Sequence, residues 1–564
     1  MSCHGRQRKD YIPLNSSNEE DSDLASVNVF LIGLIVFVIS LLLITEITSD
    51  RARRQALERF PDDFEFGTAT SSYQIEGAWN EDGKGWSMWD HLVRARPEAV
   101  VDMTNGDIAS NSYYLYKRDV EMLKELGVDN YRFSISWPRI LPYGRPDYVN
   151  PQGVEYYNNL IDELLANGIT PFVTMYHWDL PQNLNEQGGW LNEDIVDWFG
   201  DYARVLYQHF GDRVKHWMTI NEPYIHCYFG YAYAIHAPLI HSPGEGYYEC
   251  GRNILLANAR AYHIYDEEFR ATQNGEIGFV VSMEWVLPNS DSPEDAQAVL
   301  DYAIDHYIHP IFSDEGNYPQ IIIDKVAEAS ERQGLNTSRL REFSQEEVEY
   351  MKGTSDFLGL NHYSSRIVYR NESANGRYEI PSVDDDINVV AYADPSWPSS
   401  GFTYEYGPGL YYLLLHLRDN YNMKIYITEN GCSSDTGLND DQRVQYFRNY
   451  LTSVRDAVNE GVNVKGYFAW SLMDNFEWSF GYIMRFGMYE VDMEHENRTR
   501  TPKKSALVYK EIISSRVIDY TYDPDPYEVD SGENGGEEPD PDSAATSAIS
   551  LVTVVGLLIV LNVF

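Results

Sequence analysis

The amino-acid sequence predicts an α/β fold of the (β/α)8 TIM barrel class, in one domain between hydrophobic N- and C-terminal segments. Eight short runs rich in β-branched and aromatic residues alternate with amphipathic stretches of helical period. The runs are nearly continuously apolar, which is typical of strands covered on both faces. A doubly wound open sheet is the alternative, but no glycine-rich phosphate loop follows the first run.

The eight β-rich runs are predicted to be the barrel strands. They are residues 64–70, 130–137, 170–178, 214–221, 277–285, 356–363, 424–430 and 464–472. Three of the intervening helical patterns end before a glycine, namely before Gly127, Gly168 and Gly211. Because glycine commonly follows the last turn of a helix, each position predicts a helix C-cap.

Composition and charge limit the possible partners. The chain has 564 residues, of which 43% are hydrophobic, so it can bury a large core. Its net charge of −44 excludes nucleic acid as a partner, because the phosphate backbone would be repelled. Residues 523–542 hold a concentrated acidic run, which indicates a solvated segment after the folded domain.

The cysteines and the glycosylation motifs point to a secreted or lumenal domain. Cys227 and Cys250 bracket a loop-like segment and are predicted to form a disulfide, with two buried thiols as the alternative. Cys432 is predicted to be a free core residue. Sequons for N-glycosylation begin at Asn336, Asn371 and Asn497.

Both ends of the chain carry membrane signals. After a polar segment, residues 1–28, the apolar stretch 29–47 is predicted to be an uncleaved signal anchor, with a cleaved signal peptide as the alternative. The sequence RARR at 51–54 resembles a convertase site and equally fits an ordinary basic flank.

The C-terminal end has the order of a glycosylphosphatidylinositol signal. Small residues around Asn534 lie in the acidic region 523–547, and an apolar tail, residues 548–564, follows. Asn534 is the predicted attachment site, Ser543 a second candidate, and a retained C-terminal span the alternative. In each case the folded domain, residues 58–522, is expected to lie outside the cell or in the lumen of the secretory pathway.

Two glutamates end predicted strands and form a candidate catalytic pair. Glu222 follows the fourth strand in TINEP, and Glu429 ends the seventh in ITENG. In a barrel the C-terminal ends of the strands meet at one mouth, so the two carboxyl groups can flank one substrate atom. One acid and one nucleophile are what glycosidic bond cleavage needs. The strand ends show no metal-ligand spacing, and this chemistry implies no cofactor.

The motifs around these residues resemble those of family 1 glycoside hydrolases, the β-glucosidase group. The match runs from FPDDFEFGTATSSYQIEGAWNEDGKG at 60–85 to RTPKKSALVYKEII at 500–513. Between them lie, in order, YRFSISWPRILP, YHWDLPQ, TINEP, GLNHYSS, YITENG and AWSLMDNFEWSFGYIMRFG. The resemblance implies a membrane-tethered retaining β-glycosidase that acts on a small-molecule or oligosaccharide β-glycoside.

The resemblance also implies a role for each residue of the site. Glu222 corresponds to the acid/base and Glu429 to the nucleophile. Asn221 corresponds to the residue that hydrogen-bonds the sugar 2-hydroxyl, while Arg132 and Tyr363 contact the nucleophile. The residues expected to grip the sugar ring are Gln74, His177, Trp470, Glu477 and Trp478.

Glu477 narrows the expected substrate to neutral sugars. Relatives that accept 6-phosphorylated sugars replace this acid, so glucosides are expected, with galactosides or fucosides possible. Three alternatives keep the same fold: a catalytically inactive ectodomain acting as a receptor or adhesion protein, a transglycosylase and a thioglucosidase. Because both carboxylates are present, we expect the enzyme rather than the inactive ectodomain.

Overall fold

The computed structural model describes residues 58–302, 304–370 and 378–528. The segments 1–28, 29–47 and 548–564, together with Asn371 and Asn534, lie outside these residues. Within the described ranges, every helix is too short or too polar to cross a membrane.

Eight parallel strands close into a barrel, which confirms the predicted fold class. The strands are β1 (Glu65–Ala69), β2 (Asn130–Ser134), β3 (Thr170–Tyr176), β4 (His216–Asn221), β5 (Glu276–Ser282), β6 (Phe357–Asn361), β7 (Ile425–Asn430) and β8 (Val464–Trp470). Each predicted run overlaps one of them, and the barrel closes where β1 pairs with β8. The predicted ends differ from the observed ones by up to three residues.

One helix of the outer ring follows each barrel strand in the sequence. These helices are α1 (Ser112–Leu126), α2 (Pro151–Ala166), α3 (Ile195–Phe210), α4 (Gly246–Ile264), α5 (Gln345–Met351), α6 (Gly407–Tyr421), α7 (Asp441–Asn459) and α8 (Lys504–Ser515). The three predicted helical patterns correspond to α1, α2 and α3.

Shorter elements lie in the connections between the barrel strands and the outer helices. A three-stranded sheet, here called the upper sheet, is formed by Trp285–Pro288, Ser365–Tyr369 and Val390–Tyr392. Two two-stranded sheets pair Ser399–Ser400 with Thr403–Tyr404 and Tyr489–Val491 with Arg500–Pro502. The remaining helices are Ser72–Ile75, Met88–Ala95, Trp137–Ile140, Gln182–Asn185, Pro223–Cys227, Arg270–Gln273, Pro293–Asp301, His309–Phe312, Gln320–Arg332 and Val383–Ile387, with single turns at Pro97–Ala99, Gly189–Leu191, Tyr228–Ala232, Tyr265–Phe269 and Trp478–Phe480.

Aromatic rings fill the interior of the barrel below the mouth. The ring of Phe172 lies 4.9 Å from that of Phe468, and the ring of Phe357 lies 5.2 Å from that of Tyr426. A Cβ atom at Gly278 would lie 2.2 Å from the Phe357 ring, so only glycine leaves room for it. The interior is therefore a packed core that supports the mouth, as barrel interiors are.

The glycines after the first three helices end them in two different ways. Gly127 and Gly168 adopt left-handed backbone, with φ of 75° and 74°, as a C-cap glycine does. Gly211 is the C-cap of α3, as predicted, but its φ is −70°, so it ends the helix without a left-handed turn. A Cβ atom there would lie 1.9 Å from Oε1 of Gln273, so this position needs glycine for space rather than for a left-handed turn.

The disulfide prediction is confirmed. Cys227 and Cys250 are bonded with a Cα–Cα distance of 5.7 Å, which joins the short helix after β4 to α4. Cys432 is free and buried, also as predicted.

Candidate active site

All the residues that the sequence assigns to the site lie together at the carboxyl-terminal mouth of the barrel. Arg132 of β2 and Trp470 of β8 are both in register with Ala69, the last residue of β1. A cavity of about 470 Å³ opens above them. The predicted residues that line it are His177, Glu222, Tyr363, Glu429, Trp470, Glu477 and Trp478. Gln74, Arg132 and Asn221 lie directly behind these side chains and hydrogen-bond to them.

Glu429 is held by one donor from β2 and one from the loop after β6. The Arg132 guanidinium donates to Oε1 of Glu429 in a buried ion pair, and the Tyr363 hydroxyl donates to Oε2 at 2.7 Å. Thr174 accepts a hydrogen bond from Nε of Arg132 at 3.1 Å, which fixes the guanidinium plane. Both carboxylate oxygens are thus oriented before any substrate arrives.

Glu222 lies on strained backbone at the start of a short helix. Its φ is 48°, a left-handed conformation that non-glycine residues seldom adopt. The backbone N–H of Glu222 donates to the carbonyl of Val280 at 3.0 Å, and its own carbonyl accepts from His226 at 3.0 Å. The conformation turns the side chain toward the mouth, where the Asn361 amide donates to Oε1 at 2.5 Å.

The pKa of Glu222 is raised from 4.5 to about 8, first by burial and then by the negative charge of Glu429. The hydrogen bond from Asn361 and the charge of Arg132 act in the opposite direction. At neutral pH the Glu222 carboxyl is therefore mostly protonated. A protonated acid beside a carboxylate that accepts from an arginine is the arrangement that acid-assisted displacement requires.

Asn221 connects the two carboxyl groups. Its side-chain oxygen accepts from Arg132 at 2.7 Å and from Asn361 at 3.2 Å, and its amide contacts Nε2 of His177 at 3.1 Å. Its backbone carbonyl accepts from the indole N–H of Trp178 at 2.8 Å. One rigid network therefore reaches Glu429 through Arg132 and Glu222 through Asn361.

A second group of residues forms the end of the cavity near β1 and β8. The Gln74 amide donates to Glu477 at 3.1 Å and to Asn475 at 3.0 Å. The ring of Trp478 lies 6.0 Å from that of His177, nearly parallel to it. Burial, and then the charge of Glu429, raises the pKa of Glu477 to about 8. Amide, carboxyl and flat aromatic groups together suit a sugar ring with several hydroxyls.

Sequence reasoning missed three residues that complete the network. Asn361 bonds Glu222, Thr428 fixes Asn361 with a hydrogen bond of 2.7 Å, and Asn475 accepts from Gln74. The signal for Asn361 was available, because it is the last residue of β6 in GLNHY, and a polar side chain at a strand end points to the mouth. The spacing of Thr428 and Asn475 carries no comparable signal.

The arrangement defines a class of protein before any comparison is made. A closed (β/α)8 barrel holds a carboxyl group of raised pKa and a carboxylate paired with an arginine at its mouth, next to amides and tryptophans that suit a sugar. Among the described residues, no group of three His, Cys, Asp or Glu side chains is arranged to hold a metal ion. The class is that of the barrel glycosidases.

Comparison with known proteins identifies the family. The profile of Glycosyl hydrolase family 1 matches residues 56–517. Myrosinase 1 of Brevicoryne brassicae is 44% identical over 466 residues, covering 81% of this chain and 99% of the relative. The cytosolic beta-glucosidase of Homo sapiens is 41% identical over 468 residues, covering 82% and 99%. A rice beta-glucosidase mutant, solved in a covalent complex with Glc, is 35% identical with a TM-score of 0.75, covering 80% of this chain and 98% of that one.

This chain therefore belongs to glycosyl hydrolase family 1. It is a retaining β-glycosidase of the β-glucosidase type, as the resemblance implied. The comparisons do not favour the inactive ectodomain, the transglycosylase or the thioglucosidase.

Proposed function

We propose that the enzyme hydrolyses β-D-glucosides with Glu222 as the acid/base and Glu429 as the nucleophile. The observation that carries the assignment is the difference between the two carboxyl groups. Glu222 has a pKa raised to about 8, whereas Glu429 accepts hydrogen bonds from Arg132 and Tyr363 on both of its oxygens. A proton donor and a nucleophile are thereby distinguished by their surroundings.

In the first step the two groups act from opposite sides of the anomeric carbon. Oε2 or Oε1 of Glu429 attacks that carbon while Glu222 transfers its proton to the leaving oxygen, so a glycosyl ester forms and the alcohol departs. Asn221 is placed to hydrogen-bond the sugar 2-hydroxyl, where such a bond strengthens as the oxocarbenium character grows.

In the second step Glu222 acts as the base. Once Glu429 is an ester it carries no charge, so its contribution to the raised pKa of Glu222 disappears. The ionised Glu222 then takes a proton from water, which attacks the anomeric carbon and releases the sugar with its original configuration. The same pair of residues therefore supplies an acid and then a base.

Glu477 and Gln74 favour a neutral glucose ring. Both present hydrogen-bonding groups to the same end of the cavity, and Arg132 is engaged by Glu429 and Asn221. Because neither Gln74 nor Glu477 supplies a positive charge, and the pKa of Glu477 is raised to about 8, a 6-phosphate would gain no ion pair from these two groups and is disfavoured less by charge repulsion. We expect glucosides to exceed galactosides and fucosides.

The test of the two roles is the anomer formed when azide rescues alanine variants. Full-length Glu222→Ala and Glu429→Ala proteins would be given 2,4-dinitrophenyl β-glucoside, whose leaving group needs no acid, together with sodium azide. In Glu222→Ala, azide should attack the glycosyl ester and give β-glucosyl azide. In Glu429→Ala, azide should enter the space left by the nucleophile and give α-glucosyl azide.

The outcome separates three readings. The expected anomers support the assignment, and the opposite anomers would reverse the two roles. Rescue of neither variant, with a wild-type protein that releases no phenol from β-glucoside, β-galactoside, β-fucoside or β-thioglucoside, would overturn the proposed hydrolysis. A Glu511→Ala variant on α8, far from the mouth, serves as the control and should behave as wild type.

We also propose that the catalytic domain works outside the cytosol, tethered through the terminal segments. The Cys227–Cys250 disulfide suits an oxidising compartment, and the sequon residues Asn336 and Asn497 are exposed. In cells expressing the full chain, we expect a glycan-dependent shift in mass and recovery of the activity in the membrane fraction. Release of activity by a phospholipase specific for glycosylphosphatidylinositol would show that the domain is held through Asn534 and that the N-terminal segment has been cleaved. Activity that stays with the membrane after that treatment would favour the N-terminal anchor or a C-terminal span over Asn534 attachment, and activity in the cytosolic fraction would contradict the proposal.

A further inference from the structure

The cavity extends well beyond the residues that suit the sugar. Its volume of about 470 Å³ falls in the range of sites that bind drug-sized ligands. The sugar-binding residues belong to β1, β3 and β8, on one side of the barrel. The opposite side, formed by the connections after β4, β5 and β6, carries a second set of lining residues. We call five of these residues, Tyr224, Tyr302, Ile304, Ile387 and Val389, the aglycone wall. The same side of the barrel also contributes polar lining residues, including Ser282, Glu284, His306, Ser364, Arg366 and Asp384.

The aglycone wall rests on ordered elements. Tyr302, Ile304 and Ile387 pack against a small core that includes Val389 and Val368 of the upper sheet. Ile387 ends the helix Val383–Ile387. Because this support is a sheet and a helix, the wall has a fixed shape with which an aglycone can make van der Waals contact.

Charged groups near the wall are paired or negative. Arg366 donates through Nε to both oxygens of Glu284, at 3.0 and 3.1 Å, so its charge is compensated. Asp384 accepts from the hydroxyls of Tyr228 and Tyr233, at 3.0 and 2.5 Å. The described lining residues include five acids, Glu222, Glu284, Asp384, Glu429 and Glu477, one arginine, Arg366, and three histidines, His177, His236 and His306. The raised pKa values keep Glu222 and Glu477 mostly protonated at neutral pH, and Glu429 is paired with Arg132, so the carboxylates near the wall are Glu284 and Asp384.

We propose that the natural substrates are glucosides of extended, apolar aglycones that carry no anionic group, with an alkyl or aromatic chain lying along the aglycone wall. The inference rests on the proposed hydrolysis and names its substrate class. A second sugar fits less well, since only two of the five wall residues bear a hydroxyl, and buried sugar hydroxyls without partners lose binding energy. An anionic aglycone would have to enter beside Glu284 and Asp384.

An alkyl series measures contact with the wall. Full-length enzyme would be assayed by glucose release from ethyl, butyl, hexyl and octyl β-glucoside, which share nearly the same leaving-group chemistry, and from cellobiose. Each fully buried methylene is worth roughly a fourfold change in binding. We expect kcat/KM to rise at least about tenfold from ethyl to octyl and octyl glucoside to be preferred to cellobiose.

A matched pair of substrates measures the effect of charge. Octyl β-glucoside and 7-carboxyheptyl β-glucoside have similar length and differ by a carboxylate at the far end. We expect the carboxylate to lower kcat/KM by about tenfold or more at low ionic strength, with a smaller difference at high salt. In Glu284→Gln, Arg366 loses its partner, so the selectivity against the carboxylate should shrink or reverse.

A pair of variants locates the effect on the wall. Ile304→Ser should flatten the dependence of kcat/KM on alkyl length, because the serine gives less apolar contact. Leu300 lies in the same segment, but it is 64% exposed and is not among the residues that line the cavity. Leu300→Ser should therefore keep the wild-type dependence of kcat/KM on alkyl length. Both should release p-nitrophenol from the β-glucoside if folded.

The results distinguish failure of this inference from failure of the proposed function. Hydrolysis of p-nitrophenyl β-glucoside with no rise along the alkyl series, with cellobiose preferred, or with equal turnover of the carboxylate would overturn the inference alone. A protein that cleaves none of these glucosides would overturn the proposed function on which it rests. A rise with chain length that Ile304→Ser flattens and Leu300→Ser does not would support the inference.

Discussion

Strand β3 shows how differently the two ends of the barrel are built. Near its beginning, the ring of Phe172 stacks on that of His216 at 4.2 Å and packs against Phe468 at 4.9 Å. Just beyond its end, His177 contacts the Asn221 amide at 3.1 Å, and burial and the charge of Arg132 hold the pKa of this histidine well below its usual value. One end is packed by apolar contact and the other is organised by hydrogen bonds.

Backbone conformation follows the same division. Trp178, Glu222 and Trp478 at the mouth have φ of 74°, 48° and 48°, whereas the left-handed residues that precede β5 and β7 at the lower end are Asn274 and Asn422, of a type that adopts this conformation more readily. Each such residue costs about 1–3 kcal/mol and persists only where the surroundings fix it. We infer that packing at the lower end stabilises the fold, and that part of this stability offsets the cost of the left-handed backbone at the mouth. The following predictions test that division, from the largest effect to the smallest.

Glu429→Gln should almost abolish catalysis. The amide keeps the shape of the side chain but is a poor nucleophile, so kcat/KM for p-nitrophenyl β-glucoside should fall by at least about 10⁴-fold. Single-turnover and steady-state assays of purified protein measure it, with circular dichroism to establish that the variant is folded. A folded variant that keeps a tenth of wild-type activity would exclude Glu429 as the nucleophile.

Glu222→Gln should lose activity in proportion to how much the leaving group needs a proton. On alkyl β-glucosides the fall should be about 10²–10⁴-fold. Formation of the glycosyl ester from 2,4-dinitrophenyl β-glucoside should be much less affected, because that phenolate leaves without protonation. The measurement is the pre-steady-state burst of phenol, and an equal loss on both substrates would contradict the role of acid.

A change at the lower end should affect stability and leave catalysis intact. Phe357→Ala removes a fully buried ring beside Tyr426 and should lower the free energy of unfolding by about 3–5 kcal/mol. The kcat/KM of the folded variant should stay within about twofold of wild type. Urea unfolding measures the first quantity, and Tyr143→Ala, at a residue 64% exposed, is the control that should change neither.

The raised pKa of Glu222 should make wild-type stability depend on pH. The folded pKa is about 8 and the ordinary value is 4.5, so between these values the folded state binds more protons than the unfolded state. Stability should therefore fall as pH rises from about 5 to 8, by an amount on the order of 3 kcal/mol from this group. Glu222→Gln should lose that part of the dependence, gaining stability relative to wild type at pH 8 but not at pH 5. A constant difference between the two proteins would contradict the assignment.

Asn361→Ala should shift the pH profile with a modest loss of rate. The Asn361 amide hydrogen bond lowers the pKa of Glu222, so its removal should move the alkaline limb of kcat/KM to higher pH. We expect roughly a tenfold lower kcat/KM at pH 7. Thr428→Val, which only loosens Asn361, should shift the limb in the same direction by less. A loss of rate with an unmoved limb would show that Asn361 has only a structural role.

Sequence patterns predicted the barrel because its strands satisfy one simple condition. A strand covered on both faces needs apolar side chains on both faces, so all eight strands can be recognised in the sequence as nearly continuous apolar runs. Their ends were less well predicted, since Met283 and Trp285 after β5 continue the apolar pattern of the strand, and Trp285 begins a strand of the upper sheet. Gly211 shows a further limit, because a glycine required for space cannot be distinguished by sequence from one required for a left-handed turn.

The sequence predicted the residues around the two glutamates but not those of the aglycone wall. Glu222 and Glu429 lie at strand ends, and their motifs resemble a known family along most of the domain. Ile304 and Ile387 lie in long connections whose folding depends on the upper sheet, so no periodicity reveals that they meet. The raised pKa of Glu222 likewise depends on burial and on a carboxylate 207 positions away (429 minus 222), which only the fold brings near.

The central claim is that Glu429 forms the bond to the sugar, and trapping that bond tests it most directly. In a 2-deoxy-2-fluoro-β-glucoside the fluorine slows both steps. A dinitrophenolate leaving group keeps ester formation fast relative to ester hydrolysis, so the glycosyl ester accumulates. Incubation with the full-length enzyme, proteolysis and mass spectrometry should find one fluoroglucosyl group on the peptide that contains Glu429, and none in Glu429→Gln. Attachment at Glu222, or complete turnover without any labelled peptide in the wild type, would contradict the account.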